Sequence, residues 1–485
     1  MTALLSKKIF WFYVITIGFL LVNTFFIYKE NYFFLIIPFA VLVLLITIFA
    51  LDRLLLLAIL LVPLSIPLSY IIPGLSFNMA VPTEPILFGI MLIFFIKLFM
   101  NNNIDKRIIY HPISIIIYLQ IFWLIVTSLT STLPIVSFKF TLVRIWFVVS
   151  FFFLLIILFK DLNKYKTVIW LYASTLIIAI AYTLINHASY GLFDQQAANY
   201  VSYPLYNDHT AYGAALAMIF TMLVGFLFLK NYPVSYKWIA FIFILIVFVA
   251  IVFSYTRATW LSMAIAFGFL IIFVFKIKFH TILIIAVFST ALIGVFWTDI
   301  IQTLEKNRQD SSSDIAEQIR SISNITTDAS NLERLNRWNC AIRMYNEKPV
   351  LGWGPGTYAM QYAPFQRSYD RTIISTNTGN RGNAHSEYLG PLSETGLPGA
   401  VLMLILIFAT IYNAMKVYHK LNDNNLKILV ASTLLALITY YVHGALNNFL
   451  DTDKLSVLFW GFTAFIVAVD IYVVSNNKKN DNIIQ

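Results

Sequence analysis

Charge is what this sequence has little of. Asp, Glu, Lys and Arg make up 12% of its 485 residues, against about a quarter in soluble domains. Hydrophobic residues make up 60%, and mean hydropathy is +0.79. So few polar side chains cannot cover a soluble fold, and a disordered chain needs the opposite balance. Cysteine is nearly absent. Cys340 stands alone, which excludes an internal disulfide framework, a CxxC redox pair and a Cys-based zinc site. There is no Walker A loop and no HExxH, and no histidine gathers with acidic residues at metal-ligand spacing. ATP-driven transport by this chain alone is therefore not expected, nor is a metal or other cofactor. The basic excess, 33 Lys+Arg against 23 Asp+Glu, is a topology signal in such a chain and not the mark of a nucleic-acid binder.

What the chain has in abundance is long apolar runs. A membrane-crossing helix needs about 20 mostly apolar residues. Fourteen such runs can be read, roughly at 9–27, 32–51, 54–73, 84–100, 112–130, 141–159, 167–186, 210–229, 237–254, 258–275, 281–300, 396–418, 426–447 and 455–474. The first follows Lys7 and Lys8 with no small-residue cleavage site after it, so it reads as a retained anchor. With a cytoplasmic N-terminus, 18 of the 33 basic residues fall in inner segments. Five (Lys29, Lys139, Arg144, Arg257 and Lys454) fall in short outer loops or at outer helix ends. The other ten lie in the long segment 301–395, which the positive-inside rule exempts. The expectation is an all-α integral membrane protein with both termini cytoplasmic. It divides into helices over 1–300, an extracytoplasmic loop over 301–395, and helices with a cytoplasmic tail over 396–485.

The ionisable residues gather at the outer ends of the spans and in the outer loops, and most spans carry none. A transporter needs such residues along its path, so chemistry at the outer membrane face is favoured. The outer loop 187–209 sets Tyr190, Tyr200, Tyr203 and Tyr206 near Asn207, Asp208 and His209. That mixture suits carbohydrate, although an interfacial aromatic belt is the plainer account. In the 301–395 loop, Leu335, Trp338, Ile342 and Tyr345 recur at helical spacing, with Asn331 placed as an N-cap. Such a helix suits the bilayer surface, with Arg334 and Arg337 turned toward headgroups. Arg257, in SYTRATW, stands so close to hydrocarbon that pairing or function is expected of it. His385 stands in an outer loop just before a membrane entry, where water and substrate reach an imidazole of ordinary pKa near 6.5. Asp451 and Asp453 form a DTD at an outer helix end, by default a solvated end and not a metal site. Together the arginines and the histidine fit one chemistry. A lipid-linked diphosphate needs positive charge as it leaves, guanidinium grips phosphate in bidentate fashion, and an acceptor hydroxyl needs a base.

Four stretches resemble the O-antigen ligase and O-antigen polymerase family of bacterial membrane glycosyltransferases. SYTRATWLSMAIA is similar to that family's Ser-x-x-Arg boundary segment. ERLNRWNCAIRMYNEKPVLGWGPGTY resembles its Arg-x-x-x-Trp helix followed by Pro-x-x-Gly-x-Gly-x-Gly. HSEYLGPLSETGLPG matches the ligase pattern at His385, Ser386, Gly396 and Gly399. VHGALNNFLDTD is similar to a His- and Asp-containing segment near the last span. The resemblance covers about 257–453; before about 200 only hydrophobicity is shared.

The resemblance implies a metal-independent, inverting glycosyltransferase of the integral-membrane C type in the bacterial inner membrane, facing the periplasm. Its donor would be a glycan on undecaprenyl diphosphate. Its acceptor would be a glycolipid, either the lipid A core of lipopolysaccharide or a lipid-linked repeat. His385 would activate the acceptor hydroxyl. Arg257 and Arg334 would bind the diphosphate, with Arg337 the alternative to Arg334. Arg144, Tyr255, His443, Asp451 and Asp453 would be supporting residues. Family ligases usually have about twelve spans, so the fourteen runs leave two to be re-entrant or interfacial, or mark a polymerase-like member. A ligase is the leading reading, a polymerase its rival, and a protein-glycosylating member a third. A lipid-linked sugar transporter is the alternative from another class.

Overall fold

The computed structural model describes residues 2–29, 50–74, 79–100, 104–275, 329–368 and 382–475, with positions 277, 281, 284, 288, 291, 371 and 375 between them. It divides into two compact units, Met1–Leu57 and Ala58–Gln485. The first is dominated by α1 (Thr2–Tyr28), whose apolar side chains, such as Phe10, Trp11, Leu21 and Phe25, are exposed on every side. An evenly apolar helix of that length is made for hydrocarbon.

Next comes α2 (Leu51–Leu61), which ends where prolines begin. A proline lacks the N–H and clashes with the preceding turn. Pro63 and Pro67 accordingly turn the chain into a 3-10 turn and a two-residue strand, β1 (Ile66–Pro67). β1 pairs antiparallel with β2 (Ala80–Val81), Ile66 opposite Val81. The apolar run expected to span at 54–73 is therefore not one helix.

The remaining long helices follow as α3 (Thr83–Met100), α4 (Pro112–Leu129), α5 (Pro134–Leu158), α6 (Asn163–Tyr190), α7 (His209–Leu227), α8 (Val234–Phe253), α9 (Arg257–Val274), α10 (Ala329–Glu347), α11 (Leu389–Lys420), α12 (Asn424–Leu446) and α13 (Asp453–Val474). Among the described residues ten helices are long and apolar enough to cross a membrane, α9 being a shorter apolar helix over Arg257–Ile271. The protein is an all-α integral membrane protein. The runs expected at 32–51 and 281–300 fall almost wholly outside the described residues.

The bundle centres on α7, α12 and α13. Helix α13 is buried without a break from Asp453 to Val469. On one side Tyr165 of α6 stacks on Phe465 at 3.6 Å between ring centroids and shares a 2.6 Å hydrogen bond with Thr433 of α12. Helices α7 and α9 approach at Gly213, where a Cβ would lie 2.3 Å from Thr259 Oγ1. At one end of the bundle Asp470 accepts from Lys416 Nζ at 2.8 Å and lies 3.5 Å from His111 Nε2, which ties α13, α11 and α4. At the other end Asp453 Oδ2 accepts from Ser65 Oγ at 2.6 Å and Thr83 Oγ1 at 2.5 Å. Lys454 Nζ there donates to Ser65 O at 2.8 Å. The acidic pair expected to be a solvated helix end is thus divided. Asp451 is exposed, while Asp453 is buried and hydrogen-bonded.

Helix α11 breaks at Gly396, whose φ of 69° and ψ of −173° lie outside the helical region. The break exposes backbone groups, and the Pro/Gly stretch after α10 fills them. Trp353 N donates to Ser393 O at 3.1 Å, Gly354 N to Glu394 O at 2.8 Å, and Leu397 N to Pro349 O at 2.8 Å. Trp123 Nε1 of α4 takes the Thr395 carbonyl at 2.8 Å. A Cβ at Gly396 would stand 2.1 Å from the Val350 carbonyl oxygen. Gly396→Ala should therefore cost more than about 1 kcal/mol, read as a clear drop in the thermal midpoint of the detergent-solubilised protein. Gly268→Ala, where no atom lies within 4 Å of the new Cβ, should leave the midpoint unchanged. Equal midpoints for the two variants would contradict this account of the break.

Candidate active site

Three chain segments converge at the bundle end that holds the starts of α7, α9 and α11. The first is the N-terminus of α7. Asp208 caps it, its Oδ1 accepting from Thr210 N at 2.8 Å, Thr210 Oγ1 at 2.6 Å and Ala211 N at 2.8 Å. The second is the turn between α8 and α9. Tyr255 holds a left-handed φ of 50° there, and Thr256 Oγ1 donates to the His209 carbonyl at 3.0 Å. That bond sets Arg257, the first residue of α9, beside the start of α7. The third is α10 with the 382–388 segment.

Helix α10 is held by a core of Cys340, Ala341, Met344, Tyr358, Tyr362 and Ala384. The stripe expected to be its apolar face, Leu335, Trp338, Ile342 and Tyr345, is only half-buried or, at Ile342, exposed. Its buried face carries Glu333, Asn336, Arg337, Cys340, Ala341 and Met344 instead. Hydrophobic periodicity misread this helix because its inner face includes three polar residues that satisfy one another. The helix begins at Ala329, so Asn331 lies inside it and is not its cap.

This packing separates the two arginines of the helix. Arg337 does not face headgroups. It is 4% exposed, its Nε donates to Glu333 Oε1 at 2.6 Å, and its guanidinium lies 4.0 Å from the Tyr362 ring centroid. Tyr358 Oη donates to its carbonyl at 2.7 Å. Arg334 faces the other way, within electrostatic range of Arg257 and Asp208. Burial first, and then the Arg257 charge, pull the Arg334 guanidinium below its ordinary value, against Asp208.

His385 completes the cluster. Its backbone is left-handed, φ 48°, an uncommon conformation that histidine tolerates better than most side chains. Two bonds hold it: His385 N donates to Asn383 Oδ1 at 3.0 Å, and Trp338 Nε1 of α10 donates to His385 O at 3.3 Å. Ser386 Oγ then accepts from Tyr388 N at 3.2 Å and Leu389 N at 3.3 Å, which starts α11. Glu387 fastens the segment to α12: its N–H reaches Gly444 O at 2.7 Å. Its Oε1 accepts from Tyr440 Oη at 2.7 Å, Phe449 N at 2.6 Å and Leu450 N at 2.9 Å. Burial, followed by the charges of Arg334 and Arg337, pushes the His385 imidazole down to about 4, with Asp208 and Glu333 opposing. A lowered imidazole value means a neutral ring, able to accept a proton, at every pH above about 4.

The structure brings Arg257, Arg334 and His385 together. His443 of α12 stands behind them, 1% exposed, within range of Asp208, Arg334 and His209. Tyr255 shapes the arginine's turn, and its Oη donates to Leu192 O at 3.3 Å. Arg144 and Asp451 lie within range of each other, and neither is among the charges that act on His385. Of the loop tyrosines, Tyr206 is buried against Lys454, 5.5 Å from its ring centroid, while Tyr190, Tyr200 and Tyr203 are exposed. Asp208 and Glu387 had not been singled out for the site. Asp208 had a readable signal, an Asp directly before an apolar helical run. Among the described residues no three His, Cys, Asp or Glu side chains form a metal-holding group.

The fold and this end of it define a polytopic helical membrane protein with a half-buried cluster of two arginines and a histidine. Residues 241–404 match the family model described as O-antigen ligase. The match contains Arg257, Arg334, Arg337 and His385 and stops short of the VHGALNNFLDTD segment. No curated protein matches the chain.

The His385 environment has a direct readout. In the ligand-free protein, histidine-selective NMR should show His385, assigned through His385→Gln, titrating near pH 4. Arg334→Gln should move the midpoint up toward 6.5, since it removes the larger of the two arginine charges acting on it. A wild-type midpoint at or above 6.5 would contradict the charge arrangement.

Proposed function

We propose that this protein transfers a polysaccharide from undecaprenyl diphosphate to an acceptor hydroxyl, in the manner of an O-antigen ligase, with the lipid A core as acceptor. One observation carries the reading: Arg257, Arg334 and a neutral His385, far apart in the chain, share one half-buried cluster. In the reaction the bond from the anomeric carbon to the diphosphate oxygen breaks, and a bond to the acceptor oxygen forms on the opposite face. The acceptor proton passes to His385. Undecaprenyl diphosphate departs with its new negative charge against Arg257 and Arg334, which supply the electrophilic stabilisation without a metal. Arg337, already paired with Glu333, positions the 382–385 segment. His443 and Asp208 sit within range of the same charges and hold their balance. The polymerase reading shares every one of these roles and differs in its acceptor, a lipid-linked repeat.

The sidedness proposal rests on where cations lie. Lys97, Lys106, Arg107, Lys160, Lys164, Lys166, Lys230, Lys237, Lys416, Lys420 and Lys427 all fall toward the bundle end opposite the cluster. By the positive-inside rule that end is cytoplasmic. The cluster then faces the periplasm from the bacterial inner membrane.

His385→Ala removes the proton acceptor and leaves both guanidiniums. Single-turnover transfer in nanodiscs should fall about 10²–10⁴-fold while donor affinity stays nearly constant, and excess EDTA should not slow the wild type. Lost donor binding with normal turnover at saturating donor would remove His385 from the base role. Glycan profiling after gene deletion assigns the acceptor. Lipid-linked polymer accumulating beside uncapped acceptor means ligase; single repeats retained on the acceptor mean polymerase.

A further inference from the structure

His385 holds a backbone conformation that a side-chain-bearing residue does not keep by itself. Its φ of 48° is left-handed, and such a residue stays there only where its surroundings over-determine it. The bonds that reach His385 directly are long for that task. His385 N donates to Asn383 Oδ1 at 3.0 Å, Trp338 Nε1 donates to the His385 carbonyl at 3.3 Å, and Asn383 Nδ2 reaches Asn448 O at 3.5 Å. Shorter bonds lie two residues further on, at Glu387.

Glu387 is 6% exposed and makes no salt bridge among the described residues. A carboxyl group so buried is costly unless donors meet its oxygens. Donors converge on Oε1: Tyr440 Oη of α12 at 2.7 Å, and Phe449 N at 2.6 Å with Leu450 N at 2.9 Å from the turn between α12 and α13. The Glu387 N–H donates to Gly444 O at 2.7 Å. The chains run so close there that a Cβ on Gly444 would stand 3.2 Å from Glu387 Cγ. The next residue, Tyr388, donates from Oη to Tyr441 O at 2.7 Å. Residues 387–388 are thus clasped to 440–450. The stretch that matches the family model ends at residue 404, so the clasp ties His385 to a part of the chain outside it.

The charge of Glu387 is not what the imidazole chiefly feels. The charges that act most on His385 are Arg334, Arg337, Asp208 and Glu333. The role left to Glu387 is one of place. We propose that Glu387 is a positioning residue, whose clasp on 440–450 fixes the left-handed His385 backbone and so holds the imidazole in the arginine cluster. Its effect on transfer rests on the ligase reading above; its effect on where the imidazole lies does not.

The test follows His385 by histidine-selective NMR in the full-length protein, beside single-turnover transfer and donor affinity in nanodiscs. Glu387→Ala removes the shared acceptor. The His385 midpoint should rise from near 4 toward 6.5 as the ring leaves its burial and the arginine charges. Turnover should fall about 10²-fold, the cost of a displacement of about 1 Å, with donor affinity nearly unchanged. Glu387→Gln keeps an oxygen acceptor in place and should restore the wild-type midpoint and most of the turnover. Tyr440→Phe removes one donor, leaves both backbone bonds, and should move both readouts in the same direction by less. Should the alanine variant fail to fold, Tyr440→Phe decides. Glutamine behaving like alanine, or a His385 midpoint that neither Glu387→Ala nor Tyr440→Phe moves, overturns the proposal. A shifted midpoint in a protein whose wild type transfers nothing from a lipid-linked donor supports the clasp and overturns the transfer reading alone.

Discussion

Two guanidiniums held in one half-buried cluster repel each other, and the site end of this bundle is built around that repulsion. Asp208 acts on Arg334 against that repulsion, and its position is fixed because it caps α7. Arg257 is fixed by the left-handed Tyr255 turn and the Thr256–His209 bond, and Arg334 by the packed core under α10. The charged groups of the site are thus held in place by the surrounding packing. On the proposed reading, a diphosphate entering the site would offset that repulsion, the arrangement that favours a charged leaving group.

Burial first, and then the same positive field, lowers the proton affinity of the histidine. An imidazole among arginines stays neutral, and a neutral imidazole is the form that can take a proton from a hydroxyl. The bonds around His385 run outward in three directions: to α10 through Trp338, to α11 through Ser386, and to Tyr440 of α12 through Glu387. The break at Gly396 lets the Pro/Gly stretch 349–354 lie on α11 and so connects α10 to the membrane helices. Membrane bundle and polar cap are one piece of packing at this end, which is how a site at the bilayer boundary stays rigid.

Much of this was legible in the sequence. Apolar run length located most of the spanning helices, because hydrocarbon leaves the backbone few alternatives to a helix. Arg257, Arg334 and His385 were readable as residue types suited to diphosphate chemistry at a membrane boundary. Other features depended on tertiary contacts. The 54–73 run is apolar enough to span, yet Pro63 and Pro67 break it. Arg334 and Arg337 lie on one broad face of a helical wheel, and the Glu333 and Tyr362 contacts tell them apart. The inner face of α10 is partly polar, so periodicity pointed to the wrong stripe. Asp453 lies in a short acidic motif, but its partners Ser65 and Thr83 are remote in the chain.

The central claim is that Arg257 and Arg334 act as one diphosphate-binding unit, and a double-mutant cycle tests it most directly. Donor affinity would be measured for the wild type, Arg257→Gln, Arg334→Gln and the double variant in nanodiscs at fixed ionic strength. Side chains that share a ligand and act on each other couple by about 0.5–3 kcal/mol, whereas independent sites add within about 0.3–0.5 kcal/mol. The account predicts coupling in the first range, the second substitution mattering less once the first is made. Additive losses within the second range, or a donor affinity unmoved by either substitution, would contradict it.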